Sequence, residues 1–149
     1  MSEHVAEIVW DRDGAEPGGD YSRSHVWRFD GGVEVPAASA PNLHGDPSRV
    51  DPEEAFVASI SSCHMLWFLH LAQDAGLYVR SYTDQAVGFM RRLDRGVIAI
   101  TDVELHPRIE WVGDAPDEGT VTELHEESHH RCFIANSVKC EITVHPAKD

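Results

Sequence analysis

Cys63 lies in the middle of a long apolar stretch, and Cys132 lies about half a chain later in His129-His130-Arg131-Cys132-Phe133-Ile134-Ala135-Asn136-Ser137. Apolar helices usually fill such positions with Leu, Ala or Val. Two well-separated thiols allow one sulfur to be oxidised by a peroxide and the other to close a disulfide on it. The plainer alternative is that a free cysteine is a small hydrophobe that simply packs. A peroxide-reactive thiol must be a thiolate near neutral pH, so it needs a cation close by. The same cation would stabilise the charge developing on the departing oxygen. Arg23, in Tyr21-Ser22-Arg23-Ser24, Arg49 and Arg131 are the candidates.

Two other constellations compete. His125-x-x-x-His129-His130-x-Cys132 places three histidines beside a thiol. His125 and His129 share a helix face, and zinc accepts His/His/Cys ligation. The spacing is one residue too long for the H-E-x-x-H metalloprotease motif. Histidines so spaced on a polar helix are more often merely exposed. Cys63-His64 could be a nucleophile and base, but neighbours on a helix point about 100° apart. No marker of an oxyanion hole accompanies them.

The elements that must hold these residues are readable from caps and periodicity. Asp51 is a good N-cap, Pro52 suits a first turn, and Glu54 follows the cap by three as in a capping box. The helix is predicted to run to Ala75, with Gly76 as its stop. From Ala55 to Ala72 its apolar residues cover nearly the whole circumference, which predicts burial on all sides. A chain of 149 residues can hardly wrap such a helix alone, so a dimer is expected to enclose it. Ser59, Ser61, Ser62, His64 and His70 make the stretch too polar for a bilayer span.

A second helix is predicted over Thr120–His130, with Asp114–Gly119 as loop before it. Strands are expected over Glu3–Trp10 and Ser22–Phe29, with a third beginning at Val33. Turns are marked by Asp13-Gly14, Pro17-Gly18-Gly19 and Asp30-Gly31-Gly32. Residues 36–47 form a long loop, of a length that is often functional. Gln85–Leu93 and Val97–Val112 read as a hairpin turning at Asp94-Arg95-Gly96. Val138–Val144 closes the chain as a strand in which Cys140, Ile142 and Val144 alternate, so Cys140 reads as a core filler. The pattern is α+β, in one domain over residues 1–149.

Composition narrows the partners. The net charge is −14 and the pI about 4.9. That argues against nucleic acid and anionic membrane, which need basic patches. Met1–Glu7 has no basic and no apolar signal region, so no signal peptide is expected. Three cysteines make no extracellular disulfide framework. A reducing, cytoplasmic setting is the expectation.

Asp51-Pro52-Glu53-Glu54-Ala55-Phe56 followed by Ser61-Ser62-Cys63-His64 resembles the "N-P-E-E-L … A-C" helix signature of the OsmC/Ohr family of organic hydroperoxide reductases. The interval from Glu53 to Cys63 matches that family. So does Cys132 between a second helix and a final strand, with Ser137 near the family's "C-P-x-S-N" segment. The resemblance covers essentially the whole chain.

The resemblance implies an OsmC-like α+β fold, with antiparallel sheets, a long central buried helix and a second helix, in an intertwined homodimer. It implies a thiol-dependent peroxidase with Cys63 as peroxidatic and Cys132 as resolving thiol. Glu53 would pair with a site arginine, Arg23 being the better match and Arg49 the second. The substrate would be a small organic hydroperoxide. The reductant would be a lipoyl-type dithiol or a lipoylated protein, with no bound cofactor. Two positions depart from the pattern: Phe133 follows Cys132 where the reductases often have proline, and His64 follows Cys63 where an apolar residue is common. They suggest a divergent branch with another substrate. The alternative to an enzyme is a non-catalytic stress-response or binding protein of this fold, metal-binding through His125, His129, His130 and Cys132.

One geometric point is independent of the resemblance. Glu53 and Cys63 are roughly 15 Å apart along one helix. If both serve one site, the glutamate comes from another subunit, the helix breaks, or a long arginine bridges them.

Overall fold

The computed structural model describes residues 1–12, 14 and 16–147. Asp13, half of the first predicted turn, lies outside the described residues. The chain forms two compact units, Met1–Ala55 and a second beginning at Phe56.

The first unit is a three-stranded antiparallel sheet: β1 (Ala6–Val9), β2 (His25–Phe29) and β3 (Glu34–Ala37), with β2 central. All three are shorter than, or shifted from, their predicted spans. Gly32, at φ +78°, makes the turn from β2 to β3, where Phe29 N–H donates to Val33 O at 3.0 Å. Beyond the loop after β3, Ala38 N–H donates to Val50 O and Val50 N–H to Pro36 O. These bonds lay the residues just ahead of the long helix against β3.

Helix α1 spans Pro52–Asp74 and ends at Gly76, φ +73°. Its start is the capping box read from the sequence. Glu54 N–H donates to Asp51 Oδ1 at 2.8 Å, and Asp51 N–H donates to Glu54 Oε2 at 3.1 Å. By length and composition alone α1 would suffice to cross a membrane, despite the serines and histidines that argued otherwise. Its buried residues are Ile60, His64, Phe68 and Ala72, one stripe at four-residue spacing. The predicted all-round burial is therefore not achieved within one chain; Leu66 is 59% exposed.

In the second unit β4 (Val79–Asp84) pairs antiparallel with β7 (Pro107–Trp111). A further sheet runs β5 (Val87–Arg92), β6 (Ile98–Leu105), β8 (Glu141–Val144). β5 and β6 are the predicted hairpin, but the second predicted strand is two: it breaks at His106, and β7 leaves for another sheet. β6 and β8 pair parallel, the exception among otherwise antiparallel ladders. Helix α2 (Glu118–Arg131) starts earlier than expected, because Asp117 caps it by accepting from Thr120 N–H at 3.0 Å.

Two apolar clusters follow the α1 stripe. Ile60 packs with Val103 and Leu105, joined by Phe56, Val57 and Ile142. Phe68 and Ala72 pack with Leu124, joined by Tyr82, Ile109 and Trp111. Cys140 borders the first cluster, as its alternation with Ile142 and Val144 predicted.

Candidate functional site

Cys63 lies at the middle of α1 and Cys132 is the C-cap of α2. The fold brings the two thiols close enough for Cys63 to raise the Cys132 thiol. Both are free thiols, Cys63 half-buried and Cys132 buried. Local chain geometry explains Cys132. Its N–H donates to His129 O at 3.3 Å as the helix ends, and its sulfur accepts from Ala135 N–H at 3.3 Å in the short 3-10 turn that follows. Burial, above all, and the neighbouring Cys63 push the Cys132 thiol up to about 11, against the opposing pull of the Ala135 and Ile134 N–H groups. Cys132 is thus held as S–H at neutral pH, next to a more accessible sulfur.

An aromatic group borders the thiols. Trp67 lies one turn beyond Cys63 and meets Phe133 edge-on at 5.6 Å. The Arg131 guanidinium lies 5.7 Å from the Trp67 ring and bonds Glu127. Phe133, where the sequence departs from the reductase pattern, is 70% exposed.

Arg23 and Glu53 belong to the first unit. Arg23 bonds Asp20 at 2.6 Å and the Tyr21 carbonyl, and covers the Tyr21 ring at 4.1 Å. It borders an open apolar pocket with Ile8, Trp10, His25 and Pro52, so it stands beside the foot of α1. Arg49 contacts Asp46 at 3.4 Å and does not line that pocket. Glu53 is half-buried and makes no ion pair among the described residues.

The sequence reading missed a buried pair. His64 Nε2 and His125 Nδ1 are 3.0 Å apart, and the rings lie nearly parallel. The Phe68 ring closes on His125 at 4.4 Å. Burial, above all, brings both imidazoles down to about 4, with His129 contributing at His64 against Asp84, and His64 contributing at His125. Among the described residues, His64 Nδ1, His125 Nε2 and the Tyr82 hydroxyl have no hydrogen-bond partner. The available signal was position: His64 falls on the Ile60–Ala72 stripe, and His125 sits between buried Leu124 and Ser128.

This pairing corrects the metal expectation built on His125, His129, His130 and Cys132. His125 is turned to His64, Cys132 to Cys63, and His129 and His130 are exposed. Among the described residues, the ligating atoms that converge are those of Glu104, His106 and His145.

Comparisons with known proteins agree with this fold. The family model "OsmC-like protein" matches residues 45–146. The chain is similar to an OsmC-like protein of unknown function from Vibrio cholerae, with 40% identity and a TM-score of 0.94, covering 99% of this chain and 100% of that one. It also shares its fold with an organic hydroperoxide resistance protein from Elizabethkingia anophelis, at 20% identity and a TM-score of 0.73, covering 99% and 98%. A third relative in fold is the organic hydroperoxide resistance protein OhrB of Bacillus subtilis, at 17% identity and a TM-score of 0.70, covering 96% and 98%. None of the curated proteins compared matches the chain.

Proposed function

Because the chain belongs to the OsmC-like family, we propose that it is a thiol-dependent peroxidase for small organic hydroperoxides. The observation that carries this reading is the nearness of Cys63 to Cys132, close enough to raise the second thiol. A half-buried thiol beside a buried, protonated one is the division of labour that the chemistry requires.

The Cys63 thiolate attacks the distal peroxide oxygen, the O–O bond breaks, and the alkoxide leaves and takes a proton as alcohol. Cys63 becomes a sulfenic acid. Cys132 then attacks that sulfur, the S–O bond breaks, and water leaves with the Cys132 proton. A lipoyl-type dithiol, free or protein-borne, reduces the disulfide by exchange, and no bound cofactor takes part. The exposed Phe133 and the Trp67 beneath it offer an apolar surface to the organic group of the peroxide.

Arg23 is the cation of the site, with Glu53 orienting it and Arg49 the alternative. Its place beside Pro52, the residue before Glu53, favours Arg23. Since α1 is one unbroken helix from Pro52 to Asp74, the roughly 15 Å from Glu53 to Cys63 is not shortened by a kink. That leaves a second copy or a bridging arginine, and we take Glu53 and Arg23 to serve the thiols of a second copy, in a cytoplasmic homodimer.

The test is peptide mapping after one equivalent of tert-butyl hydroperoxide. Wild type should give a Cys63–Cys132 disulfide that dithiols reverse. Cys63→Ser should not react. Cys132→Ser should react once and stall as a dimedone-trappable sulfenic acid. Absence of the disulfide in wild type, with Cys63 inert to dimedone in both thiol-bearing forms, would overturn the reading.

A further inference from the structure

A second group of side chains lies away from the thiols, at the junction of β6, β7 and β8. Glu104, in β6, and His106, just past its end, are two residues apart, which sets them on one side of the chain. The parallel register of β6 with β8 sets Leu105 beside Val144. His145 N–H then donates to Leu105 O at 2.7 Å, which holds His145 alongside His106. The two rings lie 5.3 Å apart and nearly parallel. One ligating atom from each of Glu104, His106 and His145 falls within 4.8 Å of the others.

His106 is held on two sides. Its backbone N–H donates to Asp84 Oδ1 at 2.6 Å, and its ring Nδ1 lies 3.2 Å from the Gln85 carbonyl. A carbonyl only accepts, so that bond assigns the ring proton to Nδ1. Nε2 then presents a lone pair to Glu104 Oε2 at 3.5 Å. Two facing acceptors at that distance are reconciled either by a proton on Nε2 or by a metal ion, and a third ligating atom from His145 beside them suits the ion. An Nδ1–H bonded to a backbone carbonyl is also the usual way a protein orients a metal-binding imidazole. The Glu104–His106 distance of 3.5 Å fits: ligands at about 2.0–2.1 Å from a tetrahedral ion lie roughly 3.4 Å apart.

We propose that Glu104, His106 and His145 bind a divalent ion of the zinc class, with the fourth position left to water. Two imidazoles and one carboxylate suit zinc or cobalt better than calcium or magnesium, which prefer oxygen ligands throughout. The site is independent of the peroxidase reading, because it uses neither thiol. It does touch the same scaffold: the other oxygen of Asp84 accepts from Ser61 Oγ at 2.5 Å, two residues before Cys63 on α1.

Cobalt titration of the full, reduced chain tests this. One equivalent should bind with visible d–d bands and without the ultraviolet thiolate-to-cobalt charge-transfer band. His145→Ala and Glu104→Gln should each weaken binding by at least ~10-fold, since loss of even a ligand's own hydrogen-bond partner costs about 10–100-fold. His130→Ala, on the exposed face of α2, should leave it unchanged. Thiolate charge transfer, absence of stoichiometric binding, or wild-type affinity in both site variants would each overturn the proposal.

Discussion

The buried pair His64 and His125 gives the protein an acid-sensitive point apart from its thiols. Both rings are neutral when folded, because burial holds them at about 4. In the unfolded chain a histidine takes its proton near 6.5. Between these values the unfolded state binds more protons, so stability falls as the pH drops from about 6.5 towards 4 and is unaffected above that window. The slope is at most about 1.4 kcal/mol per pH unit per ring. In an NMR titration of the ten histidines, two should keep the shifts of neutral imidazole down to about pH 5. If all ten titrate like exposed histidines, the pair is not buried as described. At this scale Cys63 and Cys132 were legible because chemistry depends on residue type. The His64–His125 contact was not, because it joins two helices whose relative placement no local pattern encodes.

Elements were legible where local chemistry sets them. Asp51, Pro52, Glu54 and Gly76 mark both ends of α1, and the structure keeps both marks. The run from Val97 to Val112 was misread as one strand. Proline cannot donate to a ladder and constrains its predecessor, so His106-Pro107 is where the chain leaves β6 and starts β7. Strand β4 was missed, since Val79-Arg80-Ser81-Tyr82-Thr83-Asp84 alternates too weakly to declare a buried face. The packing of β5 on α1 also has a test. A Cβ on Gly88 would come within 2.6 Å of Val57 Cγ2 on α1 and 3.6 Å of Ile100 Cγ2 on β6. Gly88→Ala should therefore destabilise the fold by ~1–3 kcal/mol, the usual cost of overpacking. Adding Val57→Ala should recover part of that loss. A denaturation midpoint unchanged in Gly88→Ala would show that β5 is not pressed against the helix.

For the molecule as a whole, the sequence places nearly continuous apolar character on α1, while one chain buries a single stripe of it. The outward face, with Leu66 at 59% exposure, needs a cover. Light scattering should therefore find twice the 16.6 kDa of one chain. A folded species stable at the single-chain mass would remove the need for a second copy. The same outward face makes concentration a variable of folding. Where assembly and folding are linked, each tenfold dilution lowers the stability of the folded dimer by about 1.4 kcal/mol. Dilution itself then acts as a denaturant, and the melting temperature should climb with the amount of protein in the cell.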